Sequence, residues 1–184
     1  MRLRGTAGVG IVALWTVTTV AQGGRGAQAP CDRACLEGFV DRFLGAVVAH
    51  DPTRLPLAGT VRFTENGQRL ELGDGSWRSM VGKGAYRLFV SDPQAGQVAF
   101  IGTLREENTM NKDGALVLVA LRLRVASRQI ADIELFVVRN ERAAQNVEKA
   151  AAPHRLFTET VPPSEHMSRE DLVRPPTCTS PGCS

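Results

Sequence analysis

Residues 115–139 read ALVLVALRLRVASRQIADIELFVVR, and their alternation decides the fold class. Apolar and polar side chains alternate through Leu121–Val125 and Asp132–Leu135, within the longer β-prone runs Ala115–Val125 and Ile130–Arg139, the period of two that marks strands with one buried face. With the turn centred on Arg128, Leu121 faces Leu135, Leu123 faces Ile133 and Val125 faces Ala131 on one side of a hairpin. On the other side Arg122 meets Glu134 and Arg124 meets Asp132, and further from the turn Ala120 meets Phe136 and Leu118 meets Val138. Opposite charges across strands contribute a few tenths to about 1 kcal/mol. The apolar end of that second side needs a cover, which helices packed on one face would supply.

Working outward, two earlier hairpins precede this one. Thr60–Thr64 alternates, Glu65-Asn66-Gly67 holds the Asn-Gly pair that suits a tight turn, and Arg69–Leu72 runs back. Residues 73–84, GDGSWRSMVGKG, read as a loop or short irregular helix. Tyr86–Ser91 and Gln97–Leu104 flank Asp92-Pro93, with Gly96 closing the turn. Before them all, Leu36, Phe39, Val40, Phe43, Leu44, Val47 and Val48 fall on one face of a helix over Asp32–Ala49. Asp32 is its N-cap, and Asp51-Pro52 ends it. Residues 141–150 are helix-competent. From Ala151 onward six of the ten prolines occur, the composition of an extended tail. The order is that of an α+β domain: a curved antiparallel sheet with helices packed on one face, over residues 30–150, followed by a proline-rich tail over 151–184.

Residues 1–29 have a different character. Arg2 and Arg4 precede an apolar run from Val9 to Ala21, and QGGRGAQA follows, the pattern of a secretory signal. The run is too short to span a membrane and carries three threonines, so cleavage is expected and the protein is exported, periplasmic or secreted. The signal holds Arg2, Arg4 and Arg25 and no acid, so removing it leaves 19 of the 22 basic side chains against 19 acidic ones. A neutral mature chain gives no footing for nucleic acid or for a membrane surface. The four cysteines form two close pairs with three connectivities. Cys178–Cys183, around the flexible TSPG, is favoured over Cys31–Cys35, which must form across the first turn of a helix; end-to-end bridging is the remaining option. Metal binding is not expected: the cysteine spacing is not C-x-x-C, and two of the three histidines lie in the tail.

Residues 46–67, AVVAHDPTRLPLAGTVRFTENG, resemble the helix-to-first-strand passage of SnoaL-like, nuclear-transport-factor-2-like domains, with residues 32–140 covered in outline. Residues 50–77 and HRLFTETVPPSE at 154–165 are closer still to a family of exported fungal and bacterial proteins. In that family a second stretch follows the SREDL segment, where this chain has PPTCTSPGCS after Arg174. The larger superfamily implies a cone-shaped fold with a mostly apolar pocket for a small organic molecule. It also implies acid–base lyase or isomerase chemistry without a cofactor, or non-catalytic binding, and dimerisation through an open sheet face.

Candidate residues follow. In ketosteroid-isomerase-like relatives a carboxylate ends the first strand as general base, and Glu65 falls at a similar place, where desolvation would raise its basicity. The first helix has no tyrosine for an oxyanion donor. The polar turn at Asn66-Gly67 suits a plain solvated Glu65 better than a catalytic one. His50 and Asp51 form a pair able to relay a proton, or to end a helix and start a turn. Trp77 and Tyr86 suit a pocket wall with Arg62 and Asn66 as polar contacts, and suit core packing as well.

Overall fold

The computed structural model describes residues 30–174. The signal segment and Cys178 and Cys183 lie outside them.

Helix α1 runs Arg33–Val48, and Asp32 caps it by accepting the Cys35 N–H at 2.8 Å. Its end is a Schellman motif. Asp51 N–H reaches Ala46 C=O, His50 N–H reaches Val47 C=O, and His50 stands at φ +57°. Cys31 and Cys35 are bonded, the bridge ranked second from the sequence, while the Cys178–Cys183 reading lies outside the described residues. Cys31 precedes the cap. The bridge therefore ties the approach to the helix to its first turn, across a Cα–Cα distance of 5.3 Å. Five residues make a small loop, so Cys35→Ser is expected to lower stability by no more than about 2 kcal/mol. Urea denaturation of oxidised wild type and variant measures this, and a reductant should remove the difference.

Six strands follow: β1 Leu57–Glu65, β2 Gln68–Arg69, β3 Met80–Asp92, β4 Gln97–Glu106, β5 Ala115–Ala126 and β6 Gln129–Val138. Their order in the sheet is β2-β1-β6-β5-β4-β3. The sheet is mixed where an antiparallel one was expected, because β1 lies parallel to β6. Bulges in β1/β6, β3/β4 and β5/β6 bend it. The β5/β6 register is as read from sequence from Leu118–Val138 to Arg124–Asp132. Beyond that it slips, so that Val125 faces Ile130 and Ala131 is the extra residue. A two-residue turn causes the slip: Ser127 and Arg128 both take positive φ, closing Ala126 on Gln129. Asn66 and Gly67 turn β1 into β2 in the same way. Strand β3 begins at Met80, inside the stretch read as a loop.

Helix α1 covers the Leu121/Leu135 side of the sheet. Leu36, Phe43, Leu44, Phe100, Leu104, Leu121, Leu123, Ile133 and Leu135 are buried together there. Each such side chain contributes about 1.5–3 kcal/mol. On the other side Phe136 and Val138 are half exposed, so the cover expected over them is not supplied. Helix α2, Glu141–Ala150, is capped by Asn140 and packs on β3, β4 and β5. The tail is exposed and carries short helical turns, including α3 at Arg169–Val173, where an extended run was expected. Arg169 ties it to Asp92 at the end of β3.

Candidate functional site

Glu65 closes β1 on the side of the sheet that faces the core and is buried. Its Oε2 accepts the Ser76 N–H at 2.8 Å and the Ser76 hydroxyl at 2.7 Å, and Arg139 Nη2 lies 3.6 Å from Oε1. Arg139, just past the end of β6, forks onto the buried Glu106 through Nε at 2.7 Å and Nη2 at 2.8 Å. Ser79 donates to the same Glu106 at 2.8 Å. Burial alone would raise the Glu106 carboxyl, but the Arg139 guanidinium and the Ser79 hydroxyl hold it below the usual carboxylate range. Two serines and one arginine thus hold two carboxylates at one end of the sheet. A groove of about 360 Å³ opens beside Arg139, Glu106, Glu107 and Glu141.

The other candidates do not gather around Glu65. His50 Nε2 lies 2.8 Å from the Met80 carbonyl and ties the end of α1 to the start of β3. Asp51 caps the 3-10 turn at Pro52–Arg54, taking the Thr53 N–H at 3.0 Å and its hydroxyl at 2.6 Å. Those two donors, the hydroxyl first, keep its carboxyl low. Asn66 exchanges two hydrogen bonds with the Val137 backbone. Arg62 forks onto Asp132 at 2.9 and 3.0 Å, on the side of the sheet away from α1. Trp77 is 1% exposed and meets Phe43 edge-on at 5.4 Å, and its Nε1 has no partner among the described residues. Tyr86 is half-buried, and its N–H is taken by Glu148.

The interior expected to hold a ligand is therefore filled by Trp77, Phe43, Phe100 and the leucines. A wider concavity of about 810 Å³ lies elsewhere, between α1, β3 and the tail. Arg33 and Glu37 form one wall, Arg87 to Phe89 the floor, and Pro153 with Phe157–Val161 the other wall. Arg87 stacks over Phe89 at 5.0 Å and pairs with Asp41. Among the described residues, no group of three or more His, Cys, Asp or Glu is placed to hold a metal ion.

Sequence reasoning missed Arg139, Glu106, Ser76 and Glu148. Glu106 carried a signal: it shares the parity of Val98, Phe100 and Leu104 along β4, which puts an acid on a buried face.

No protein-family model and no curated protein matches the chain. Solved structures similar to it include an NTF2-like protein of unknown function from Cytophaga hutchinsonii, at 14% identity and a TM-score of 0.39, over 55% of this chain and 95% of that one. A candidate polyketide cyclase from Pseudomonas putida gives 14% and 0.42, over 59% and 95%. AclR, a candidate hydroxylase from Streptomyces galilaeus, gives 9% and 0.45, over 62% and 85%. Likenesses this slight carry no argument about activity. The α+β architecture rests on the strand order and register above.

Proposed function

We propose that this chain is an exported, non-catalytic binding module whose ligand is a small organic molecule held between α1, β3 and the tail. The observation that carries the reading is the packing of the interior. Glu65 is inward-facing and buried, its carboxylate is occupied by Ser76 and Arg139, and it does not line the groove beside Glu106. A general base must reach the proton it removes, and here the carboxylate is taken up by its own partners, Ser76 and Arg139. The groove between α1, β3 and the tail offers what the interior does not: Leu88, Phe89, Phe157 and Val161 for an apolar body, with Arg33, Arg87 and His166 for a polar or anionic end. Export is supported by the composition of residues 1–29 and by the Cys31–Cys35 bridge, which suits an oxidising compartment.

A thermal-shift screen of amphiphilic organic acids tests this. Hits should raise Tm and be recovered chemically unaltered. Phe157→Asp, at an exposed position, should abolish the shift and leave the unliganded Tm in place. Conversion of a hit to product, blocked by Glu65→Gln, would replace the binding reading with the lyase or isomerase one.

A further inference from the structure

Strands β3 and β4 are out of step between Lys83 and Arg87, where Gly84, Ala85 and Tyr86 stand opposite the single residue Thr103. The surplus backbone turns two successive N–H groups onto one carboxylate. Ala85 N–H donates to Glu148 Oε1 at 2.7 Å and Tyr86 N–H to Oε2 at 3.2 Å. The Thr103 hydroxyl, on a residue 1% exposed, donates to Oε2 as well. Successive N–H groups at a backbone irregularity form an anion-binding concavity. This one sends separate donors to each of two oxygens, which fits a planar carboxylate. Glycine is required at its rim, because a Cβ on Gly84 would lie 2.0 Å from Thr103 Oγ1 and 2.8 Å from Glu148 Oε2. Burial would raise the Glu148 carboxyl, yet the Thr103 hydroxyl and the two N–H groups hold it low.

The occupant arrives on a lightly held element. Among the described residues α2 buries Ala144 alone, and its side-chain hydrogen bonds to the sheet are those of Glu148. A helix tethered through one carboxylate is displaceable by another carboxylate. We propose that the β3 bulge at Gly84–Tyr86, with Thr103, is a carboxylate-recognition site in which Glu148 is the resident stand-in and from which a free organic carboxylate displaces it. Arg87 and Phe89, further along β3, face α1 and line the groove, whereas Thr103 and Glu148 lie on the α2 side of the sheet, so the bulge is a site separate from the groove. The site is testable whether or not the groove is filled.

The experiment is a titration of the full chain with sodium acetate, at constant ionic strength against sodium chloride, read on the backbone amide resonances of Ala85 and Tyr86. In Glu148→Ala both resonances should move saturably with acetate, with a midpoint on the order of 10 mM, and acetate should restore part of the lost Tm. Chloride should do neither. Wild type should need at least about tenfold more acetate, because the tethered carboxylate competes. Adding Thr103→Val to Glu148→Ala should weaken acetate at least about tenfold. If the alanine variant does not fold, Glu148→Gln carries the same titration. Amides that ignore acetate, or that respond equally to chloride, would overturn the site. A positive acetate result alongside a failed ligand screen would retire the groove and keep the bulge.

Discussion

Glu65→Ala is expected to destabilise the fold by about 3–4 kcal/mol. Its carboxylate is the acceptor for both the N–H and the hydroxyl of Ser76, a residue with no exposed surface. Each buried donor left without an acceptor costs about 1–3 kcal/mol. Water has little room to enter, since Gly75 stands at φ +65° so close that a Cβ there would lie 2.5 Å from Glu65 Oε2. The turn these bonds hold, Gly75–Arg78, is the one that inserts Trp77 against Phe43. Trp77 is the sole tryptophan after residue 29, so its fluorescence reports the transition directly in chain lacking residues 1–29. For a domain of this size Tm should fall by roughly 10 °C. Glu65→Gln keeps one acceptor oxygen and should lose about 1–2 kcal/mol. A Glu65→Ala transition within about 0.5 kcal/mol of wild type would show that Ser76 and Trp77 are seated by something else.

Local patterns were legible wherever a segment's own period decided its structure. The seven apolar positions of α1 and the alternation of β5 and β6 gave helix, strands and most of the register directly. The last step of that register failed because turn geometry decides it: Ser127 and Arg128 take positive φ without a glycine to announce it. The parallel pairing of β1 with β6 joins Phe63 to Ile133 across 70 residues, and nothing local encodes such a partner. Four glycines made residues 73–84 read as loop, although Met80 onward is strand and Trp77 fills the interior. The apolar pocket expected inside came from the family resemblance, and Trp77 packed on Phe43 fills that space. At the site, the sequence left Glu65 open between a pocket base and a solvated turn residue, and the parity it shares with Phe63 in β1 turns it inward. Its partners were not legible, since Ser76 comes from the irregular segment and Arg139 from beyond β6.

The ion network on the side of the sheet away from α1 shows the same division and carries the second large effect. Arg124 stands opposite Asp132 as read from sequence, but Arg124 is exposed, and Asp132 instead takes Arg62 at 2.9 and 3.0 Å and Arg122 at 2.7 Å. Arg122 also bonds Glu134 at 3.0 Å and Gln97 at 2.9 Å, so the cluster joins β1, β6, β5 and β4. Asp132 is buried, and removing it leaves two guanidinium groups to share Glu134. Breaking a buried pair costs about 3–5 kcal/mol, reduced here because Arg62 is half in water. Asp132→Ala is therefore expected to cost about 2–3 kcal/mol at pH 7 by urea denaturation. The Arg62 guanidinium first, and Arg122 with it, hold the Asp132 carboxyl below its ordinary value against the effect of burial. Arg122 likewise holds Glu134 low. A carboxyl depressed in the folded state stabilises above its unfolded pKa, about 4, and loses that contribution as pH falls through the folded value. The difference between wild type and Asp132→Ala should thus be level from about pH 6 to 8 and shrink below about pH 4. A difference that persists undiminished to about pH 2 would mean that Asp132 acts through packing and not through its charge.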